Sequence, residues 1–400
     1  MNRRILMAVG VVSAAAVIAA ACTGGGGSAG TETQPAASPA PATGQEEGPK
    51  EGPTPTPEPT PRVERQQPPP GTSSWGTNWD NRTINLNELI SGGPPRDGIP
   101  PLDDPVFKDV ASGDEYLEDR IPVVVLEING DVRAYPLDIL TLHEVVNDEV
   151  GGVPVVVTFC PLCNTAIAFD RRVDGQLLTF GTSGLLRFSD LVMWDRQTES
   201  LWQQITGEGI VGDMAGKQLT FLPISLINWG QFKESYPGGQ VLSRDSFPLY
   251  TDLYGFNPYT GYDSSRSPFL FTEDVDERLP AFERVVGIRM GGEAVAYPFS
   301  GLAEELVVHD QVGDQEFVIF WGLSDTASAL DASNISQGQA VGAATVFDPV
   351  VDGQRLTFVG ESDVRFRDNE TGSVWNVAGQ ATDGPLAGKK LRPVVYGTDF

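Results

Sequence analysis

Two cysteines three positions apart are the residues of this chain best suited to chemistry. Cys160 and Cys163 lie in the stretch VVVTFCPLCNTAIAFD, residues 155–170, and the 400-residue chain has only one other cysteine. A Cys-x-x-Cys pair can close a disulfide, exchange electrons as a dithiol, or supply two thiolate ligands to a metal ion. The motif alone leaves all three roles open, so the surrounding sequence has to discriminate between them.

The residues on both sides of the motif predict two strands joined by a bend. VPVVVTF is a Val-rich run typical of a buried strand, and AIAFDRRVDGQLLTFGTS predicts a hairpin that turns at Asp174-Gly175. A thioredoxin-type site instead needs a helix after the cysteines, because the helix N-terminus lowers the pKa of the reactive thiol. Strand, CPLC, strand is the arrangement of a metal-binding knuckle, in which the bend directs both sulfurs to one point.

A knuckle supplies two of the about four ligands of a zinc or copper site, so the others must come from elsewhere. The chain has two histidines. His143, in the predicted short helix LDILTLHEVVND, is the first candidate, although it shares a helix face with apolar neighbours, which favours a core residue. Met193 offers a thioether that suits copper, but a methionine beside a tryptophan usually packs. The predicted metal ligands are Cys160 and Cys163, with His143 and Met193 as weaker members, and the predicted metal is copper or zinc.

The acidic residues near Met193 carry no catalytic pattern. Asp190, Asp195 and Glu199 are predicted to be turn and cap residues. The chain contains no phosphate-binding loop, no dinucleotide fingerprint and no His-Glu-x-x-His motif, and two histidines count against a hydrolase built on a histidine base. The sequence therefore leaves open whether the protein is an enzyme.

Comparison of the chain with itself indicates an internal duplication. INGDVRAYPLDIL (128–140) matches MGGEAVAYPFSGL (290–302), and DRQTESLW (195–202) matches DNETGSVW (368–375). Collinear matches of this kind predict that residues about 119–225 and 278–400 are copies of one unit.

The same comparison predicts that the cysteines belong to one copy. Cys160 is aligned with Trp321 and Cys163 with Ser324, so the bend is expected to form without cysteine. His143 is likewise aligned with Glu305. A disulfide across so short a loop would stabilise the fold by only about 2 kcal/mol, so a structural staple is a poor explanation, although oxidation is the default outside the cell.

The predicted fold is a β-rich α+β fold. It consists of two internally duplicated units of antiparallel strands with one short helix each, packed as a pseudo-symmetric pair. Asn129-Gly130 predicts a hairpin turn, and Trp202 and Trp375, at matched positions, are predicted core residues. Residues 73–118 are a lead-in segment, 119–277 the first unit with a connector, and 278–400 the second unit.

The N-terminus predicts export and lipid anchoring. Two arginines, an apolar run and AAAC predict a lipoprotein signal peptide over 1–21 and lipidation of Cys22, with an ordinary secretory signal as the alternative. Residues 22–72, rich in Pro, Gly and Thr, predict a disordered tether. The expected location is the extracytoplasmic face of the cell envelope, with the membrane as partner through Cys22. A net charge of −27 disfavours nucleic acid, and neither a protein partner nor a small ligand is indicated.

Four stretches together resemble the domain-of-unknown-function family numbered 3179, over about residues 85–400. They are SGGPPRDGIPPLDDPVF (91–107), VRAYPLDIL with HEVVND, VVVTFCPLCNTAIAFDR, and SDLVMWDRQTESLWQQITGEGIVG. The resemblance implies a bacterial or archaeal protein, often exported or lipid-anchored, with one module that contains Cys160, Cys163 and His143. It implies no activity. Three functions stay open: binding of a thiophilic metal, thiol-disulfide exchange, and a non-catalytic binding or scaffold role with an incidental disulfide.

Overall fold

The Val-rich runs and the Asn-Gly and Asp-Gly turns of the sequence form antiparallel strands. The computed structural model describes the backbone of residues 5–7 and residues 67–362 and 364–400. The strands up to residue 242 are β1 Ile5–Met7, β2 Leu89–Ser91, β3 Phe107–Asp109, β4 Pro122–Ile128, β5 Asp131–Pro136, β6 Val145–Val150, β7 Val153–Cys160, β8 Thr165–Asp170, β9 Arg172–Val173, β10 Gln176–Leu177, β11 Phe180–Arg187, β12 Asp190–Asp195, β13 Leu201–Gln203, β14 Glu208–Val211, β15 Thr220–Leu222, β16 Ser225–Asn228 and β17 Gln240–Leu242. Those that follow are β18 Val285–Met290, β19 Glu293–Pro298, β20 Val307–Val312, β21 Gln315–Gly322, β22 Ala343–Asp348, β23 Val350–Val351, β24 Gln354–Arg355, β25 Phe358–Ser362, β26 Arg365–Asp368, β27 Val374–Asn376, β28 Ala381–Asp383, β29 Arg392–Pro393 and β30 Gly397–Asp399.

Helices are few and short. The described ranges contain four α-helices, which are α1 Val110–Gly113, α2 Leu137–His143, α3 Trp229–Ser235 and α4 Phe299–Glu305. They also contain five 3₁₀ helices, at Leu86–Glu88, Arg244–Ser246, Pro248–Tyr250, Tyr262–Ser264 and Ile335–Gln337. Across the described residues, no helix has the length and apolarity that a membrane span requires.

The strands of the described residues form six sheets of four or five strands and two short ribbons. In strand order the first three sheets are β16-β4-β5-β17-β3, β15-β8-β7-β6 and β14-β13-β12-β11-β2. The next three are β1-β19-β18-β30, β20-β21-β22-β29 and β25-β26-β27-β28, and the ribbons are β9-β10 and β23-β24. The pairings are antiparallel apart from β5 with β17. The prediction of a β-rich fold of antiparallel strands with few helices is therefore confirmed.

The hairpin turns lie where the sequence predicts them. Asn129 and Gly130, between β4 and β5, both have positive φ, at 52° and 83°. Asp174 and Gly175, between β9 and β10, have the same conformation, at 50° and 80°. Asn, Asp and Gly tolerate this left-handed backbone, which is that of a two-residue type I′ turn, so these residues determine the strand register.

Helix α2 is shorter than the sequence pattern predicts. The predicted helix runs to Asp148, but α2 ends at His143, and Glu144 adopts a left-handed conformation with φ 60°. Val145 and Val146 then begin strand β6. Their branched side chains favour a strand, so the chain turns at Glu144 instead of continuing the helix.

The two matched tryptophans are core residues, as predicted. Trp202 and Trp375 are both fully buried. Each donates its indole N–H to a carboxylate seven residues earlier, Trp202 to Asp195 and Trp375 to Asp368, over 2.9 Å in both cases. Each carboxylate also accepts hydrogen bonds from the threonine three residues later in the intervening turn. The indole and the turn therefore depend on the same buried carboxylate.

We predict that Asp195→Ala and Asp368→Ala each lower the free energy of unfolding by about 2–4 kcal/mol, because a buried indole N–H and the turn lose their acceptor. Urea denaturation measures this, with Asp252→Ala, at an exposed position without a side-chain hydrogen bond among the described residues, as the control. A loss for Asp195→Ala no larger than that of the control would contradict the proposed role of the carboxylate.

Candidate functional site

The CPLC segment is the tight turn that joins β7 to β8. Cys160 ends β7 and pairs with Thr165, the first residue of β8. Inside the turn, the Cys163 amide donates to the Cys160 carbonyl over 3.3 Å. Asn164 closes the turn with φ 51°, a conformation that asparagine tolerates well. The predicted arrangement of strand, CPLC and strand is thus confirmed, and β8 takes the place that a helix has in a thioredoxin-type site.

A second tight turn faces the first. Phe188 and Ser189 connect β11 to β12, and both have positive φ, at 54° and 66°. Neither is a residue that prefers this conformation, and each costs of the order of 1–2 kcal/mol. The turn places the Ser189 carbonyl oxygen 3.7 Å from the Cys160 sulfur and 3.6 Å from the Cys163 sulfur. The Ser189 hydroxyl donates to the Phe269 carbonyl, which anchors the turn from the connector segment.

Asp190 completes the cluster. It is the first residue of β12 and only 2 % exposed, and its Oδ1 lies 3.7 Å from the Cys163 sulfur. Its Oδ2 accepts from the amide of Ile205 over 3.1 Å. The ligand atoms of Cys160, Cys163 and Asp190 all lie within 4.8 Å of one another, and all three residues are buried. The prediction that Asp190 is a turn or cap residue is therefore wrong, because its carboxylate points at the sulfurs.

The electrostatics of the cluster are those of crowded acids. Burial raises the pKa of Asp190 to about 7, and nearby Asp399 contributes to the increase. The pKa of Cys163 is raised well above its usual value, first by its hydrogen bond with Cys160, then by burial and by the negative charges of Cys160, Asp190 and Asp399. The charged groups with the largest effects on these two pKa values are acidic. The cluster therefore disfavours its own ionised form.

The C-terminal strand covers the CPLC turn. The Thr165 hydroxyl donates to Asp399 in β30 over 2.7 Å, and the Phe400 amide donates to the Cys163 carbonyl over 3.2 Å. Burial raises the pKa of Asp399 to about 6. Residues 234 positions apart in the chain thus meet at the site.

His143 does not lie in the cluster. Its Nδ1 is 2.7 Å from the Pro100 carbonyl oxygen, which can only accept, so Nδ1 carries the proton. Its Nε2 then accepts from the Tyr254 hydroxyl over 2.9 Å. The ring is fully buried and packs against Phe247 and Tyr250, and burial lowers its pKa. Both ring nitrogens are thus occupied in a neutral core histidine, which was the alternative interpretation of the helix pattern.

The other two candidates have separate positions. Met193 is fully buried on β12 in the same hydrophobic cluster as Cys160 and Cys163. It pairs with Trp202 on the neighbouring strand β13. This placement fits packing. Cys22 lies outside the described residues.

The predicted alignment of the two halves is wrong at the bend. The Phe159 amide donates to the Glu144 carbonyl over 2.9 Å, and the Trp321 amide donates to the Leu306 carbonyl over the same distance. Trp321 thus corresponds to Phe159, and Gly322 corresponds to Cys160.

The strand after Gly322 begins only at Ala343, where it pairs with Gly322. Residues 323–342 form an inserted segment, so Ser324 has no equivalent position in the CPLC turn. The letters TASALD (326–331) resemble TAIAFD, but AATVFD (343–348) forms the strand β22. The expectation that the same bend forms without cysteine is therefore not met, because the second half builds a different connection there.

One family model matches this chain. It is described as a protein of unknown function, DUF3179, and it matches residues 96–400. The chain belongs to this family. The resemblance seen in the sequence is confirmed over nearly the predicted range. No curated protein and no solved structure matches the chain.

Two residues of this DUF3179 site were missed from the sequence. The second half has an aspartate, Asp363, at the position that matches Asp190. A search for residues that differ between the two halves therefore does not find Asp190. Glu144 would have passed that search, because Leu306 takes its place. It is 6 % exposed and borders a cavity of about 470 Å³ beside the CPLC turn.

We predict that the metal-free, reduced protein is alkylated by iodoacetamide at pH 7 at least tenfold more slowly than the same chain in urea. Both thiols are buried, and the raised pKa of Cys163 keeps it protonated at this pH. Mass spectrometry of the labelled protein measures the rate. A folded protein that reacts as fast as the unfolded chain would contradict this description of the thiols.

We also predict that Asp190 makes the metal-free protein less stable as the pH rises from about 4 to about 7. The pKa of Asp190 is raised from 3.8 to about 7, so the folded state binds its proton more tightly than the unfolded state. Its contribution to stability is complete below pH 3.8 and decreases by about 1.4 kcal/mol per pH unit until pH 7. Asp190→Asn should remove this slope, whereas Asp252→Asn should keep it. Equal slopes in both variants, measured by urea denaturation across the range, would refute the prediction.

Proposed function

We propose that Cys160, Cys163 and Asp190 bind a zinc ion, with the Ser189 carbonyl oxygen at the fourth position. The observation that carries the proposal is the mutual separation of the three side-chain donors, all within 4.8 Å of one another. A tetrahedral zinc ion with bonds of about 2.3 Å to sulfur and about 2.1 Å to oxygen holds sulfur and oxygen ligands about 3.6 Å apart. The sulfur of Cys163 lies 3.7 Å from Asp190 Oδ1 and 3.6 Å from the Ser189 oxygen.

The charge of the cluster supports the same proposal. Two thiols and a carboxyl are buried together, and the charged groups with the largest effects on the pKa values of Cys163 and Asp190 are acidic. Zinc would displace the thiol protons and compensate the negative charge that burial otherwise disfavours. Buried acidic groups of this kind contribute little to the stability of a fold without a cation, whereas a bound cation interacts favourably with each of them.

The ligand types favour zinc over copper. Cuprous copper prefers sulfur ligands, whereas zinc accepts a mixture of thiolate and carboxylate. A sulfur from Met193 would favour copper, but its placement fits packing. With four protein donors and a buried position, the site suits a structural ion that ties the β7–β8 turn to the β11–β12 turn.

Thiol-disulfide exchange receives less support. The residues after Cys163 form β8, so no helix N-terminus stabilises a thiolate there. The pKa of Cys163 is raised, which opposes its use as a nucleophile. A scaffold role with an incidental disulfide makes no use of Asp190, and it is an outcome of the metal experiment below.

We further propose that residues about 119–225 and 278–400 descend from one duplicated unit and form a pseudo-symmetric pair. Matching side-chain contacts support this. The Tyr135 hydroxyl donates to Asp148 over 2.6 Å, and the Tyr297 hydroxyl donates to Asp310 over 2.9 Å. One hydrophobic cluster also contains buried side chains from both halves.

We also propose that the protein is lipid-anchored through Cys22 on the extracytoplasmic face, on the strength of the N-terminal pattern alone. Cleavage before Cys22 would remove β1, which pairs with β19. Incorporation of a labelled fatty acid, lost in Cys22→Ser, would test the anchor, and unchanged labelling in that variant would rule it out.

The zinc proposal predicts about one zinc ion per chain in protein purified under reducing conditions with Cys22→Ser, which leaves only the two cysteines of the site. Elemental analysis measures this content. Cys160→Ser combined with Cys163→Ser should abolish binding, and Asp190→Asn should weaken it about 10- to 100-fold. Asp252→Asn is the matched control and should bind as the parent does.

Cobalt(II) supplies an independent reading, because cobalt bound to thiolates absorbs strongly in the near ultraviolet. Absence of zinc, together with no spectral change on titration with zinc, cobalt(II) or copper(I), would refute the proposal. A disulfide between Cys160 and Cys163 in that metal-free protein would support the scaffold alternative, and binding of copper(I) in preference to zinc would overturn the choice of metal.

A further inference from the structure

A mostly apolar cavity of about 470 Å³ lies beside the CPLC turn. Its lining includes Ile99, Leu162 and Leu191, with Tyr259 and Tyr262 from the connector segment. A volume of this size is typical of pockets for small organic molecules. Leu162 belongs to the CPLC turn, so one wall of the cavity is shared with the proposed zinc site, but none of the zinc ligands lines it.

Glu144 is the acidic group of this cavity. Among the described residues, it is the only charged side chain in the lining. Its carboxyl is 6 % exposed, and the one side-chain hydrogen bond that the structure gives it is from the Tyr259 hydroxyl to Oε1, over 3.3 Å. No ion pair within the described part of the chain involves it. Burial accordingly raises the pKa of Glu144 to about 8.

Folding does not require an acid at this position. Glu144 and Leu306 end their helices with φ values of 60° and 61°. Each amide donates to the carbonyl four residues earlier, over 2.7 Å for Glu144 and 2.8 Å for Leu306. Since leucine fits the same backbone, the carboxyl of Glu144 is a feature of the cavity and not of the turn.

We propose that this cavity binds a small organic cation, an ammonium group on a largely apolar body. The ammonium would lie against the Glu144 carboxylate, whose Oε2 has no partner among the described residues. Tyr259 and Tyr262 can add cation–π attraction, and the leucines would enclose the apolar body.

Other classes of ligand fit less well. An anion would meet Glu144 without any basic residue in the described lining. A hard metal ion needs six or more oxygens, whereas one carboxylate and a few hydroxyls are available. A neutral molecule would form no ion pair with Glu144. The inference does not rest on the zinc proposal, since the two sites use different side chains.

Titration calorimetry with 2-phenylethylammonium tests the proposal, on the Cys22→Ser chain at pH 8 and about 0.15 M salt, which weakens adventitious binding to the acidic surface. The neutral analogue 2-phenylethanol and the anion 3-phenylpropionate are the comparison probes. We expect saturable binding of one ammonium per chain, at least tenfold tighter than that of either analogue. Glu144→Gln should weaken it at least tenfold, whereas Glu149→Gln, at an exposed acid five residues away, should not change it.

Methyl NMR of the chain with Glu144 intact keeps the test independent of how Glu144→Gln folds. The aromatic ring of the probe should shift the methyl signals of Leu162 and Leu191. The proposal is overturned if 2-phenylethanol binds as tightly as the ammonium, if Glu144→Gln binds unchanged, if the shifted methyl groups lie elsewhere, or if no saturable binding occurs. Zinc content is unaffected by each of these outcomes, so failure here leaves the zinc proposal standing.

Discussion

Two tight turns face each other in this protein, and the titratable groups they bury between them are all acids. The CPLC turn contributes two thiols, and the Phe188-Ser189 turn contributes a carbonyl oxygen and the carboxylate of Asp190. The left-handed conformations of Phe188 and Ser189 oppose their own preferences, and burial opposes the charge of Asp190. Both costs have to be offset by the surrounding sheets or by something that the turns bind.

The sheets around the turns supply the necessary rigidity. The two turns connect β7 to β8 and β11 to β12, strands whose buried side chains share one hydrophobic cluster with both cysteines. The C-terminal strand then closes the site from the other half of the chain through Asp399. A cation at the centre would convert three unfavourable burials into a set of favourable contacts. The same reasoning applies at smaller scale to Glu144, another buried acid without a basic partner in the described structure.

Local patterns predicted the elements of the fold well, because they depend on neighbouring residues. The Val-rich strands, the turns at Asn129-Gly130 and Asp174-Gly175, and the burial of Trp202 and Trp375 follow from local composition and periodicity. The sequence predicts an end of helix α2 that lies several residues beyond the observed one, because the pattern of apolar residues continues through Val145 and Val146. These two residues belong to strand β6 instead.

The site was predicted only in part, because its partners are distant in the chain. Cys160 and Cys163 were identified from spacing, but Asp190 was dismissed, since an aspartate before a strand is usually a turn residue. His143 was named as a weaker ligand because the chain has only two histidines, yet its two ring nitrogens are bonded to Pro100 and Tyr254. Comparison of the two halves failed at the bend, because an inserted segment separates Gly322 from Ala343. This segment contains the sequence TASALD, which resembles TAIAFD of the first half but does not form the matching strand.

X-ray absorption at the zinc edge of the purified protein identifies the atoms bonded to the metal. The proposed site predicts zinc bonded to two sulfurs at about 2.3 Å and to oxygens at about 2.0–2.2 Å. Zinc surrounded only by nitrogen and oxygen, or a protein without zinc, would contradict it.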